Sequence, residues 1–307
     1  KLNMPFNSLS FVFFILLFTA LYYCSKKQKF KSLLVLIGSY AFYAYTNIFN
    51  LFFLLSTTLV TYLVANSLMY SRKNILLFIG ISFILIQLLF AKYSKTFFTD
   101  YHSISTLQFS YFNLFMLPIG ISFYSLQALS LLVDLRTGKY NGDTSLKSVS
   151  LFLSFFPQSL SGPIHGASEL IPQFSITRKF NAENLIIGFK TILWGYFCKL
   201  IIADKISLIT TPVFTSFHEF DGFSISVSTL LYSFQIYFDF WGYSLIAIGL
   251  GRVLGFTINI NFLNPYSAKS FKDFWHRWHI TLSKWMRDYI YIPLGGKKQN
   301  HYLLFCL

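Results

Sequence analysis

Long apolar runs separated by short basic loops constrain this chain more than any other feature of its sequence. Several runs approach the roughly 20 residues that an α-helix needs to cross the hydrocarbon core of a bilayer. Only 12% of the 307 residues are charged and 54% are hydrophobic, so the chain carries more apolar surface than a soluble domain can bury. The pattern predicts an all-α, polytopic membrane protein. Its eight candidate membrane segments are residues 9–24, 33–45, 51–69, 75–90, 112–133, 148–160, 185–209 and 225–250.

The basic loops predict the orientation of the chain in a cell membrane. A formal net charge of +14 could indicate a nucleic-acid partner, but the basic residues fall in short clusters between apolar runs, so no nucleic acid is expected. Because cytoplasmic loops are rich in Lys and Arg, the clusters at 26–31, 72–73 and 136–147 are placed inside. The N-terminus and the loop 92–111, which itself holds two lysines, are then outside. The first run precedes its basic cluster, unlike a cleaved signal peptide, and is expected to remain as an anchor.

The segment 155–166, FFPQSLSGPIHG, cannot be a simple membrane-spanning helix. Pro157, Gly162 and Pro163 interrupt any regular helix within it. Irregular backbone at membrane depth is tolerated only where protein or a water-filled cavity satisfies its polar groups. A re-entrant or pocket-lining element is one interpretation, and a plain interfacial loop is the other.

One charged residue lies in the middle of the last apolar run. Gln235, Asp239 and Tyr243 recur at i, i+4 spacing and therefore share one face of a helix. Because a charge in hydrocarbon is costly, this face is expected either to line a polar pocket or to bond to neighbouring helices. Lys199 and Asp204 form a second polar spot, where a lysine extending to the membrane interface is the expected arrangement.

Residues 273–296, DFWHRWHITLSKWMRDYIYIPLGG, predict one helix of roughly 20 residues. Ser270 with Asp273 gives an N-terminal capping pattern, and Pro293 followed by two glycines ends the element. The helix would carry an aromatic stripe of Trp275, Trp278, Leu282 and Trp285, with Asp273, Arg277, Lys284 and Asp288 on another side. Amphipathic helices of this kind lie at membrane interfaces, where tryptophan is favoured, and that interpretation requires no chemistry.

Two histidines in this segment add a chemical alternative. His276 and His279 are three residues apart, but a pair without a third ligand at a usual spacing is a weak metal signal, and no metal is expected. A single imidazole of near-neutral pKa suffices as a general base.

Several motifs resemble one family in the same order along the chain. They are LPIGISFYSLQALSLLVDLRTGK (117–139), FFPQSLSGPIHGASELIPQF (155–174), KLIIADKI (199–206), YFDFWGYSLIAIGLGRVLGF (237–256), NFLNPYSAKSFKDFWHRWH (261–279) and the ending YIPLGG. Together they are similar to the membrane-bound O-acyltransferase family, and the ending resembles its alginate O-acetyltransferase-like branch. The resemblance implies a multi-helix bundle with re-entrant elements and a pocket-lining amphipathic helix.

The resemblance also implies acyl transfer from a thioester such as acetyl-CoA, used as substrate with no bound cofactor. The acceptor would be an extracytoplasmic polysaccharide, or a partner acyltransferase that receives the acyl group. His279, of the RWH motif, is the implied catalytic residue, and the supporting or substrate-binding candidates are Asp239, Arg277, His276, Gln235, Tyr243 and His165. D-alanyl transfer to teichoic acid is the rival within the class, and a membrane transporter or flippase is the rival outside it.

The domain organisation follows from the same resemblance. Residues 1–307 are expected to form one membrane-embedded domain, with N-terminal transmembrane helices in 9–133 and the family motifs in 134–307. Members of the family carry a further histidine well downstream of the PLGG turn, and His301 follows that turn too closely, so the chain is predicted to be a fragment. Relatives have a basic residue or histidine where this chain has Gly166, with His165 one place earlier.

Overall fold

The structure is a computed structural model that describes residues 8–100 and 118–296, and every regular element in these two ranges is helical. The all-α prediction is therefore confirmed. The first group of helices is α1 Leu9–Cys24, α2 Gln28–Thr46, α3 Ile48–Tyr70 and α4 Asn74–Asp100. The second group is α5 Ile121–Thr137, α6 Leu146–Ser154, α7 Ala167–Leu170, α8 Ala182–Tyr196, α9 Asp204–Thr215, α10 Gly222–Val253, α11 Phe271–Arg277 and α12 Ile280–Met286. The loop 101–117, on which the orientation prediction partly rests, and His301 lie outside the described residues.

Helix starts follow local capping chemistry. The side chains of Ser8, Asn47, Asn181 and Asp221 each accept a hydrogen bond from a backbone N–H in the first turn of α1, α3, α8 and α10. Such oxygens satisfy donors that the first turn of a helix leaves without partners. The sequence therefore fixes these boundaries locally.

Three helical stretches in the described residues are long and apolar enough to cross a membrane, judged by length and composition. They are Ile48–Tyr70, Asn74–Tyr93 and Ala182–Thr215, and the shorter apolar helix Leu9–Cys24 has the bounds that the sequence predicted. Large apolar side chains point outward along them, among them Phe13, Phe52 and Leu208 at 70%, 65% and 68% exposure. Such surfaces suit lipid rather than water, as expected for a polytopic membrane protein.

The longest of these stretches combines two helices and a π-helical segment. Between α8 and α9, residues Phe197–Ala203 form a π-helix, which continues the axis without a loop. A π-helical turn widens the backbone spacing and is frequent at functional sites. Here it brings Lys199 towards α10.

The segment predicted to be irregular is buried inside the bundle. After α6 the chain makes a short turn at Phe156–Gln158 and then runs without regular helix to Gly166, with His165 only 1% exposed. The Gln158 carbonyl accepts the Gly162 N–H at 3.0 Å, so protein groups satisfy this backbone. Because part of the segment also lines a cavity, the pocket-lining interpretation is confirmed over the plain loop.

Helices α8 and α10 cross in backbone contact at two points. A Cβ atom built on Gly188 would lie 2.8 Å from the Gly249 carbonyl oxygen, and one on Gly195 would lie 2.7 Å from the Gly242 carbonyl oxygen. No side chain fits at either crossing. Small residues at such crossings let membrane helices approach closely. This contact sets the distance between the polar residues of α10 and the π-helical segment.

The single helix predicted for residues 273–296 is wrong, because the chain breaks in its middle. Helix α11 ends at Arg277, Trp278 is extended, and His279 adopts a left-handed conformation with φ 41° before α12 begins. A second π-helical segment, Arg287–Tyr291, follows α12. The break changes the helical register, so the predicted aromatic stripe does not exist: Trp275 is 57% exposed and Trp285 is 8% exposed. The predicted cap is correct, since Ser270 Oγ accepts the Asp273 N–H at 3.1 Å.

Candidate functional site

The break at His279 is held by residues 261–263, a segment without regular structure that precedes α11. The Leu263 N–H donates to the Arg277 carbonyl at 3.0 Å, and the Ile280 N–H donates to the Asn261 carbonyl at 2.9 Å. These two backbone bonds flank the break on either side. A left-handed conformation is uncommon for residues other than glycine and persists where surrounding structure fixes it. The segment 261–263 provides that constraint.

The side chain of Asn261 reinforces these two backbone bonds, and we call the whole arrangement the clamp. Its Oδ1 accepts from the Thr281 hydroxyl at 2.6 Å, and its Nδ2 donates to the Ser244 hydroxyl at 3.1 Å. The Thr281 oxygen in turn accepts the Ile164 N–H at 3.0 Å. Asn261 is 1% exposed. One buried amide therefore joins α10, α12 and the irregular segment beneath His279, and its removal leaves several polar groups without partners.

His279 has the properties of a neutral base. Its ring meets the Phe240 ring edge-on, with centroids 4.6 Å apart. Burial lowers the pKa of His279 to about 4, so the imidazole is neutral at physiological pH. Its Nδ1 is buried and has no hydrogen-bond partner among residues 8–100 and 118–296. The unprotonated nitrogen of a neutral imidazole can accept a hydrogen bond.

We expect the clamp to control activity through the geometry of His279. Thr281→Val removes the hydroxyl that joins Asn261 to Ile164, so the turnover number should fall by roughly tenfold or more, the effect of a misplaced catalytic group. Thr281→Ser keeps the hydroxyl and should retain most of the turnover. Acyl-transfer rates per folded molecule of the full-length protein check this, and equal rates in the two variants would contradict it.

The other candidates in this segment lie away from the His279 ring. Arg277 Nε pairs with Asp273 Oδ1 at 2.7 Å, one helical turn earlier, and its Nη1 donates to Ser267 at 3.3 Å. His276 is exposed on α11. Among the described residues, no group of three or more His, Cys, Asp or Glu side chains could hold a metal ion.

The predicted polar face of α10 meets α9 and the π-helical segment. Gln235 Oε1 accepts from the Thr210 hydroxyl at 2.6 Å. Asp239 Oδ1 accepts from Lys199 Nζ at 2.5 Å, and the same ammonium reaches Asp204 at 2.7 Å and lies 5.3 Å from the centre of the Tyr243 ring. The face therefore bonds to neighbouring helices, the second of the two arrangements expected for it.

The prediction that Lys199 extends to the membrane interface is wrong. Its side chain is 15% exposed and lies between two carboxylates, because the π-helical segment turns it towards α10. The Asp239 side chain remains 42% exposed in this chain. A half-exposed carboxylate midway along an apolar helix is compatible with a membrane only beside protein or a polar cavity.

A cavity of about 160 Å³ lies between α5, α7 and α12. His165 lines it, but both ring nitrogens of His165 are engaged. The Asn259 N–H donates to Nε2 at 3.0 Å, so the proton of the neutral ring is on Nδ1, which contacts the Pro163 carbonyl oxygen at 3.1 Å and the side chain of Gln158. Burial lowers the pKa of His165, which favours this neutral form. His165 therefore supports the cavity wall.

The sequence analysis did not assign to a site the charged residues of this cavity or its tyrosine, which are Asp134, Lys139, Glu169, Lys284, Asp288 and Tyr289. Lys284 pairs with Glu169 at 2.8 Å, and the Tyr289 hydroxyl donates to Asp134 Oδ2 at 2.8 Å. Asp134 directly follows the apolar run that was taken to end at residue 133. Had the predicted apolar run been extended by one residue, Asp134 would have been a charged residue within it and therefore a candidate for a polar site.

The fold and the site define a class: a helical membrane protein with a half-buried neutral histidine, His279, and a polar cavity whose wall includes Thr281, two residues further along the chain. The chain belongs to the membrane-bound O-acyltransferase family, whose model matches residues 8–305. It is 33% identical, over 97% of its length, to a probable alginate O-acetylase from Pseudomonas putida. It is also 33% identical, over 92% of its length, to a peptidoglycan O-acetyltransferase from Helicobacter pylori.

A more distant similarity links the chain to the D-alanyl branch of these proteins. A teichoic acid D-alanyltransferase from Bacillus subtilis is 31% identical over 57% of this chain and 45% of its own length. The chain spans 62% of the length of the Pseudomonas relative and 59% of the Helicobacter relative.

Proposed function

We propose that this protein transfers an acyl group, in the first place acetyl, from a thioester donor towards hydroxyl groups of an extracytoplasmic polysaccharide. The observation that carries the proposal is His279, a half-buried neutral imidazole in a chain of an O-acyltransferase family, whose Nδ1 has no hydrogen-bond partner among the described residues. Two relatives are named for O-acetylation of alginate and of peptidoglycan. The acceptor is the polysaccharide itself or a partner acyltransferase.

In this mechanism His279 takes the proton of the acceptor hydroxyl as its oxygen attacks the thioester carbonyl. A tetrahedral oxyanion forms, the carbon–sulfur bond breaks, and the proton passes from the imidazolium to the departing thiolate. The products are an ester and a free thiol. A neutral imidazole is the form of histidine that this step requires.

The supporting residues act by charge and position. Asp239, held by Lys199, presents negative charge along α10 and orders the polar face that also contains Gln235 and Tyr243. Arg277 keeps its pairing with Asp273 at the end of α11, immediately before the break. His276 is exposed at the surface of α11 and has a smaller role. Both ring nitrogens of His165 already have partners, so this residue supports the cavity wall.

Transfer of label from a thioester tests the proposal. Membranes with the full-length protein should move radioactive acetyl from an acetyl thioester into alkali-labile ester on the polysaccharide or partner acyltransferase. Label from D-alanyl thioester alone would favour the teichoic acid reaction, for which the Bacillus relative is named. Movement of polysaccharide precursor without any thioester would favour a transporter and overturn the proposal.

We also propose that the basic clusters are cytoplasmic and the N-terminus is outside, in the cell membrane. Single cysteines introduced beside Lys27, Arg72 and Lys139 should be shielded from an impermeant thiol reagent in intact cells, because lysine-rich and arginine-rich loops stay on the cytoplasmic side. A cysteine beside His102 should react. Reaction of the cysteine beside Lys27 would contradict the proposed orientation. Disrupted cells, in which all four cysteines are accessible to the reagent, provide the control.

A further inference from the structure

A second cavity, of about 340 Å³, lies between the first turn of α8 and the last turn of α10, and we call it the α8/α10 cavity. Its size is within the roughly 300–1,000 Å³ of small-molecule sites. Arg252 lines it, and the exposed guanidinium has no hydrogen bond or ion pair within residues 8–100 and 118–296. Asn184 and Thr257 also line it, and none of the described residues in its wall is acidic. The α8/α10 cavity therefore offers donors to an anion without a competing carboxylate in its wall.

Two buried cations lie behind this wall. The Nε atom of Arg178 donates to the Gly255 carbonyl at 2.7 Å, and its guanidinium carbon is 3.8 Å from the centre of the Phe256 ring. Both Gly255 and Phe256 line the cavity. Lys31 donates to the Arg178 carbonyl at 2.5 Å. Neither cation forms an ion pair in the described part of the chain. Because buried cations without counter-charge are costly, an anion in the adjoining cavity would stabilise the fold.

Long-range hydrogen bonds place the cavity at one end of the helix bundle. The Tyr23 hydroxyl donates to the Val253 carbonyl at 2.7 Å, and Gln28 Nε2 donates to the Phe174 carbonyl at 2.7 Å. These bonds join the basic cluster 26–31 to the end of α10 and to the segment that precedes α8. That cluster is one of those proposed to be cytoplasmic. Basic pockets between helices on this side of a membrane bind the headgroups of anionic lipids.

An exposed apolar stripe leads away from the cavity along α8. It consists of Ile186, Phe189 and Leu193, whose i, i+3 and i+7 spacing puts them on one face of the helix. Helix α8 belongs to a stretch that is long and apolar enough to cross a membrane, so this face suits lipid tails. A phosphate carried on acyl chains matches the cavity and the stripe together, whereas free phosphate matches the cavity alone.

We propose that the α8/α10 cavity binds the phosphate of an anionic phospholipid, with Arg252 and the Asn184 amide as donors and the acyl chains along the stripe on α8. The lipid bridges the two helices close to their contact at Gly188 and Gly249, because Asn184 is one turn before Gly188 and Arg252 is three residues after Gly249. The two buried cations supply positive potential behind it. The proposal is independent of acyl transfer, since lipid binding requires no turnover.

Competition for one labelled lipid tests the site. The full-length protein, purified in detergent micelles, is titrated with phosphatidylglycerol that carries a fluorescent label on an acyl chain. Unlabelled phosphatidylglycerol should displace it about tenfold or more effectively than zwitterionic phosphatidylcholine, the effect of one hydrogen bond to a charged group. Inorganic phosphate at the same concentration should not displace it. Equal displacement by the two lipids would overturn the proposal, and so would displacement by inorganic phosphate as effective as that by phosphatidylglycerol.

A pair of variants with the same net charge locates the site. Arg252→Gln should weaken the binding of phosphatidylglycerol by about tenfold or more, because it removes a charged donor from the cavity wall. Lys73→Gln is the matched control, since it removes an exposed positive charge from another basic loop and should keep the wild-type affinity. Equal affinity of the two variants for phosphatidylglycerol would show that only general charge attracts the lipid, and would overturn the site.

Thermal unfolding gives a second readout that does not depend on the label. Phosphatidylglycerol should raise the unfolding temperature of the wild type and of Lys73→Gln more than phosphatidylcholine does, because a ligand that binds the folded state stabilises it. Arg252→Gln should gain no more from one lipid than from the other. An unfolding temperature of the wild type that rises equally in the two lipids would overturn the proposed bridge between α8 and α10.

Discussion

His279→Ala should lower acyl transfer per folded molecule of the full-length protein by at least about 100-fold, the lower range of what a positioned general base contributes. The loss should be specific to the chemistry, because the Nδ1 atom that disappears makes no hydrogen bond in the described part of the chain. Membrane abundance and thermal stability should therefore stay close to those of the wild type. Transfer of labelled acetyl, normalised to folded protein, measures the effect.

Two further variants serve as comparisons for the His279→Ala measurement. His218→Ala removes an exposed imidazole on the loop before α10 and should leave transfer unchanged. Trp285→Ala removes a buried ring whose Nε1 donates to the Leu126 carbonyl at 3.0 Å, and it should lower abundance more than specific activity. If His279→Ala protein remains active, the break in the helix has only a structural role and the site assignment fails.

The pH dependence of transfer follows from the same residue. Burial holds the pKa of His279 at about 4, so the neutral base is fully present above about pH 5. The rate should fall only as the pH drops through the pKa of His279, because the imidazole is then protonated and cannot act as a base. A profile of kcat/KM against pH measures this, and an acid limb near 6.5 would show a solvated imidazole instead.

Gly242→Ala should destabilise the crossing of α8 and α10, with a loss of about 1–3 kcal/mol in the free energy of unfolding. The added Cβ would lie 2.8 Å from the Gly195 carbonyl oxygen and 3.0 Å from the backbone nitrogen of Lys199. Both neighbours are backbone atoms, so the two helices must move apart. Because the crossing also positions Lys199 against Asp239, transfer should fall with stability.

Gly222→Ala is the matched control, since an added Cβ there meets nothing within 4 Å. It lies at the start of the same helix and should be neutral or slightly stabilising. Thermal unfolding of the two purified variants decides the comparison. Equal stability would mean that α8 and α10 are not in backbone contact.

The sequence by itself determined the elements that depend on neighbouring residues. Apolar length placed α1 and α3 close to their observed bounds, and the Ser270 oxygen caps α11 as its position predicted. The i, i+4 spacing of Gln235, Asp239 and Tyr243 correctly put them on one face. In each case the cause is a period or a cap within a few residues, so the information is local.

Tertiary structure alone decided the features on which the chemistry depends. The break at His279 is fixed by Asn261 and Leu263, whose hydrogen bonds compete with those of a continuous helix that periodicity favours. The ion pair of Lys199 with Asp239 spans 40 residues and requires the glycine contact of α8 with α10. The cavity at Asp134 takes its walls from three separate helices. Periodicity and capping say which face a residue is on, whereas packing between distant segments decides what that face meets.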